Sequence, residues 1–216
     1  MSNSDSMNSP NESLQTLTEI RDLMQRSSKF LSLSGLSGIS AGLVALVGAG
    51  VAHLRINSNL LSYEGSSLLT GTTRREILQF LLLDAACVIG LAVIFGVFFT
   101  VRKARRSGQK VWNLTSQRLL VSLLFPLVTG GIFCLAMFYR GILWVSFPAT
   151  LIFYGLALLN ASRYTLRDVE YLGVLQIVLG LISLFLTGYS LLTWALGFGV
   201  LHIVYGTVMY FKYDRK

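Results

Sequence analysis

Charge is what this chain lacks most. Only 13% of its 216 residues are Asp, Glu, Lys or Arg, against about a quarter in an ordinary soluble domain. With 53% hydrophobic residues, so little charge cannot clothe a water-facing surface, and lipid is the solvent the composition implies. Cysteine is scarce too. Cys87 and Cys134 both lie in apolar stretches, which excludes a disulfide framework and any zinc-type spacing. Two histidines, His53 and His202, are too few for a dedicated metal site. Neither a Gly-x-Ser-x-Gly elbow nor a His-Glu-x-x-His helix occurs. The expectation is therefore no enzyme, no catalytic residue, no metal and no resident cofactor, a heme on His202 alone being the faintest remaining idea.

Long hydrophobic runs are what the chain has in abundance. Six can be drawn, at 34–54, 77–101, 119–139, 145–159, 172–189 and 191–211. Most approach the ~20 residues a helix needs to cross ~30 Å of hydrocarbon. The fourth is short and contains Pro148. Backbone polar groups find no water in lipid, so these runs must be helices. Residues 1–13 are polar, low in complexity and expected to be disordered. In residues 14–33, Leu14, Leu17, Ile20, Leu23 and Met24 recur at helical spacing with charges on the other faces. That pattern suits an amphipathic helix lying in the membrane interface, or one that docks a partner. The expected fold is an all-α membrane protein: a six-transmembrane-helix bundle over 34–211, preceded by the short amphipathic N-terminal helix and followed by a cytoplasmic tail at 212–216.

Basic residues outnumber acids eighteen to ten, and their distribution explains the excess. Threading the chain through six spans puts fourteen of the eighteen on one side and four on the other. The positive-inside rule then places both termini and the "RKARRSGQK" loop in the cytoplasm. Tyr139, Trp144, Tyr189 and Trp194 fall at the outer boundaries, and Tyr164, Tyr171, Tyr210 and Tyr213 at the inner ones. Headgroup level is where such amphipathic rings sit. The charge is thus accounted for by topology and by attraction to anionic lipid, and nucleic acid is not required as a partner.

A few residues are expensive at these depths. Asp84, in "FLLLDAACVIG", is the only acid well inside a span. A carboxylate at the bilayer centre costs about 2.5–3.5 kcal/mol on the gentler scales. His202 falls near the middle of the last span, so two readings stand side by side. Either Asp84 and His202 form a buried polar pair, with Gln176 or Tyr205 as further bonding partners, or His202 is a neutral ring bonded to a carbonyl or hydroxyl of a neighbouring helix. Arg140 and His53 lie at outer boundaries and are candidates for an outer vestibule. Ser34, Gly38 and Gly42 recur four apart and suit close helix packing, against an internal helix or a second copy of the chain.

The stretches "FLSLSGLSGISAGL" and "LGFGVLHIVYG" resemble those of a group of small, uncharacterised bacterial multi-pass integral membrane proteins. The resemblance implies a bacterial cytoplasmic (inner) membrane and no activity. Two functions remain in view. One is a small transporter or permeation protein using Asp84 and His202 in a wet intramembrane cavity, as a homo-oligomer. The other is a membrane scaffold or sensor that meets a cytoplasmic protein through its N-terminal helix and basic loop.

Overall fold

The computed structural model describes residues 14–15, 33–56, 71–108, 111–186 and 188–215, without the side chains of 71–74. The amphipathic helix expected at 14–33 lies almost wholly outside the described residues, as does the disordered tail expected at 1–13. Among the described residues the chain is all-helical, with six helices long and apolar enough to span a membrane. These are α1 (Gly35–Arg55), α2 (Gly71–Arg106), α3 (Leu114–Arg140), α4 (Leu143–Ser162), α5 (Asp168–Phe185) and α6 (Ser190–Asp214).

Local chemistry explains where the helices begin and end. Asn113 Oδ1 accepts from the Ser116 N–H at 2.8 Å while Ser116 Oγ accepts from the Asn113 N–H at 2.9 Å, a reciprocal cap that starts α3. Gly141, at φ 79°, ends it in the left-handed conformation that glycine adopts without strain. The α5–α6 turn uses Gly188 the same way, at φ 88°, so α5 stops at Phe185 rather than at 189. The fourth helix is longer than its apolar run, and Pro148 sits inside it without ending it. Proline removes the hydrogen bond that the carbonyl four residues back would accept. That carbonyl, Trp144 O, accepts instead from Ser190 Oγ of α6 at 3.4 Å.

The packing has two tight pairs and two outlying helices. Along α1 and α6, running antiparallel, Cα atoms replace side chains at the contact. A Cβ on Gly42 would lie 2.7 Å from Gly199 O, one on Gly38 3.0 Å from the Gly206 Cα, and one on Gly35 would strike the Tyr210 backbone. The α4–α5 pair repeats the device: a Cβ on Gly155 would meet Gly173 O at 2.6 Å, and one on Gly173 would meet Gly155 O at 2.9 Å. Close backbone approach of this kind holds helices together where hydrocarbon offers no hydrophobic drive. Around these pairs, α2 packs on α1 and α3 on α4. The remaining faces of α2 and α3 are apolar and exposed, including Leu83, Ile89, Val93, Ile94, Phe125, Val128 and Ile132.

The two ends of the bundle differ in charge. At one end Asp214, from the last turn of α6, reaches the start of α1. Its Oδ2 accepts from Ser34 Oγ and from the Gly35 N–H, both at 2.9 Å. Its Oδ1 pairs with Lys103 of α2 at 2.6 Å, and Lys103 also donates to Leu33 O at 2.8 Å. A carboxylate from elsewhere in the chain therefore caps α1. Beside it Lys212 pairs with Asp168 at 2.9 Å. Arg102, Arg105, Arg106, Arg118, Arg163, Arg167 and Arg215 are exposed at this basic end, whereas Arg55, Arg75 and Arg140 are exposed at the opposite one.

Candidate functional site around His202

Three helices converge on His202. It stands twelve residues from either end of α6 and is only 5% exposed. Just before it, Ala195–Leu201 forms a π-helical turn, a widened turn that presents backbone groups sideways and is frequent at functional sites. The Gly197 carbonyl in that turn accepts two side-chain hydrogen bonds, one from His202 Nδ1 at 3.0 Å and one from Gln176 Nε2 of α5 at 2.8 Å. A carbonyl only accepts, so Nδ1 carries the ring proton and Nε2 holds the lone pair. Tyr154 of α4 donates its hydroxyl to that Nε2 at 2.8 Å. Both ring nitrogens are thereby used, by a carbonyl and a hydroxyl, and neither is open to a heme iron.

Gln176 is 0% exposed. Its amide nitrogen serves Gly197, while its Oε1 has no hydrogen-bond partner among the described residues. The Tyr205 hydroxyl, one turn beyond His202, is likewise buried without a partner among the described residues. The surroundings are aromatic and tight. Trp194, Phe198 and His202 follow at four-residue spacing down α6, with ring centroids 5.0 Å and 5.8 Å apart, and Tyr154 lies 5.0 Å from Phe198. A Cβ on Gly197 would strike Leu151 Cδ2 and lie 2.7 Å from Gln176 Oε1. Toward the opposite end the polar seam continues between α5 and α6, where Ser183 and Thr193 share a hydrogen bond of 2.5 Å. Toward the basic end Tyr213 donates to Asp168 Oδ2 at 2.7 Å.

The residues singled out from sequence divide between this cluster and other places. Gln176 and His202 meet at Gly197, and Tyr205 follows His202 on α6. Asp84 is not among them. It is half-buried on α2, and its carboxylate faces Gly48 of α1, where a Cβ would lie 3.6 Å from Oδ2. The His202 carbonyl faces Gly38 of that same helix. Ten residues at 1.5 Å each put the two levels about 15 Å apart, so the Asp84–His202 pair does not form. His53 and Arg140 are both exposed, at the ends of α1 and α3, two helices that pack on different partners. Gly38 and Gly42 lie against α6, while Ser34 sits at the α1 cap. Two of the boundary aromatics turn inward: Trp194 packs against Phe147 and Phe198, and Tyr213 bonds Asp168.

Tyr154 was missed in the sequence because "IFYGLAL" reads as one more apolar run. The four-residue spacing of Trp194, Phe198 and His202 was the available signal that this face of α6 turns inward. No protein-family model, curated protein or solved structure matches the chain.

Proposed function

We propose that this chain is a small, non-enzymatic permeation protein of a bacterial cytoplasmic membrane. Its conducting site lies where α4, α5 and α6 meet around His202, and its basic end and both termini face the cytoplasm. One observation carries the reading: polar side chains from three helices converge at mid-span, and a fully buried amide oxygen among them is left without a partner among the described residues. Polar groups are costly at that depth, and when present they mark paths for solutes or ions. A bundle under no demand but packing would place aliphatic side chains there. Asp84 stands outside this site. The charge bias supports the orientation, and the resemblance to small bacterial membrane proteins supports the compartment.

The test is reconstitution of the full chain into sealed vesicles. Fluxes of protons, ammonium and small neutral osmolytes are compared for wild type and His202→Ala. At least one flux should exceed that of protein-free vesicles and fall with the substitution. If every flux equals the protein-free background, the reading is wrong.

A second reading, a scaffold meeting a cytoplasmic partner, draws support from the length of α2. Its 36 residues span about 54 Å at 1.5 Å each, well beyond ~30 Å of hydrocarbon. The end carrying Arg102, Arg105 and Arg106 is therefore free to project from the membrane.

A further inference from the structure

Between His202 and the basic end lie hydroxyl groups and one carboxylate. Tyr154 donates to His202 Nε2 at 2.8 Å, and Tyr213 donates to Asp168 Oδ2 at 2.7 Å. Tyr205 stands between these two pairs on α6, about 4.5 Å along the axis from His202 and about 12 Å from Tyr213. Its ring packs in the same apolar cluster as those of Tyr154 and Tyr213. Its hydroxyl is buried with no hydrogen-bond partner among the described residues. A buried hydroxyl left unpaired is costly, and a water between it and the flanking phenols would remove that cost. Around the imidazole the packing is close. Even a methyl group at Gly197 collides with Leu151 and crowds Gln176 Oε1.

We propose that the permeant at this site is the proton, and that the water-bridged Tyr205 phenol carries it between Asp168 at the basic end and the Tyr154–His202 pair. The proposal rests on the reading of the His202 site as a permeation site and names what passes it. With Nδ1 bonded to Gly197, Nε2 is the basic nitrogen, so the transfer that starts from this structure runs from the basic end inward. Asp168, protonated from the bulk, turns its O–H toward Tyr213, whose hydroxyl changes from donor to acceptor in that bond, and loses its proton. Tyr213, Tyr205 and the bridging waters each take one proton and pass one on. Tyr154 gives its hydroxyl proton to His202 Nε2 as it receives another. The Asp168 O–H bond breaks, the His202 N–H bond forms, and no electron is transferred. Lys212, paired with Asp168, is the cation facing that carboxylate, and Asp84 lies on another helix away from the path.

The test uses the full chain in vesicles that enclose a pH-sensitive dye, with a potassium gradient and valinomycin supplying the driving potential. Wild type should pass protons well above the protein-free background. Tyr205→Phe should cut that flux by on the order of a hundredfold, the scale of a positioned proton carrier. The same variant should stay folded, with a thermal unfolding midpoint in detergent close to that of wild type, because it breaks no hydrogen bond to another described protein group. Wild-type proton flux in Tyr205→Phe would overturn the proposal, and so would proton flux at background in the wild type. A His202-dependent flux of ammonium or a neutral osmolyte with background proton flux would sink the proton path and leave the permeation reading standing. Absence of any His202-dependent flux would remove both.

Discussion

His202 is held by a hydroxyl from one neighbouring helix and a carbonyl of its own helix, and the consequences are measurable. Interhelical hydrogen bonds within membranes contribute about 0.6 kcal/mol on average and up to about 1.7. A double-mutant cycle between Tyr154→Phe and His202→Ala, read by unfolding in detergent, should give a coupling in that range. The parallel cycle between Asp84→Asn and His202→Ala should be additive within about 0.5 kcal/mol, as for residues that share no partner. A larger coupling there would mean that the two groups meet after all. Asp84 and His202 were legible in the sequence as costly residues, because a charge or an imidazole in an apolar run stands out in one dimension. Their separation was not legible, since it depends on α1 lying between α2 and the core. Tyr154 was invisible for the opposite reason: a tyrosine at mid-helix differs from phenylalanine by a single oxygen, whose partner is 48 positions away.

Among the helices, glycine carries two different meanings. Gly42 and Gly197 face backbone or packed side chains, whereas Gly90 and Gly96 face nothing within 4 Å. Gly42→Ala and Gly197→Ala should each destabilise by about 1–3 kcal/mol, the usual cost of forcing atoms into a filled contact. Gly90→Ala and Gly96→Ala should be neutral or stabilising by up to about 1 kcal/mol through helix propensity. Thermal unfolding of the four variants checks the contrast, and equal effects at all four positions would contradict the assigned packing. Extents of the helices followed from apolar length, but the ends of α2, α4 and α5 did not. The turn after α5 depends on a left-handed Gly188, and α2 continues as a helix into polar sequence at both ends, neither of which apolar length reveals. The π turn at Ala195–Leu201 was likewise unreadable, because a widened turn is selected by what it packs against.

For the molecule as a whole, the Asp214 cluster ties α1, α2 and α6 at the basic end. Lys103 and Asp214 are 17% and 9% exposed, so the pair is shielded from salt. Asp214→Ala also strips the cap from α1, and should cost about 1–2 kcal/mol and speed amide exchange in its first turn. Asp168→Asn breaks a pair whose lysine is open to solvent, so it should shift the midpoint less and its effect should fade with added salt. If the two variants behaved alike, the clasp would carry no special weight. Orientation is tested separately. A reporter active only outside the cytoplasmic membrane, fused after Lys216, should stay silent, and activity there would reverse the proposed topology.

The sequence by itself determined that the chain is helical with six membrane-length segments, and which termini and loops carry the positive charge. Apolar length and charge are sums along the chain and need no knowledge of neighbours. Only the tertiary structure decided that α1 binds α6 through glycines, that Asp214 caps α1 from across the bundle, and that His202 meets Tyr154 and Gln176 instead of Asp84. Each of those is a contact between distant positions, settled by which backbones can approach most closely and which buried polar groups can then find partners.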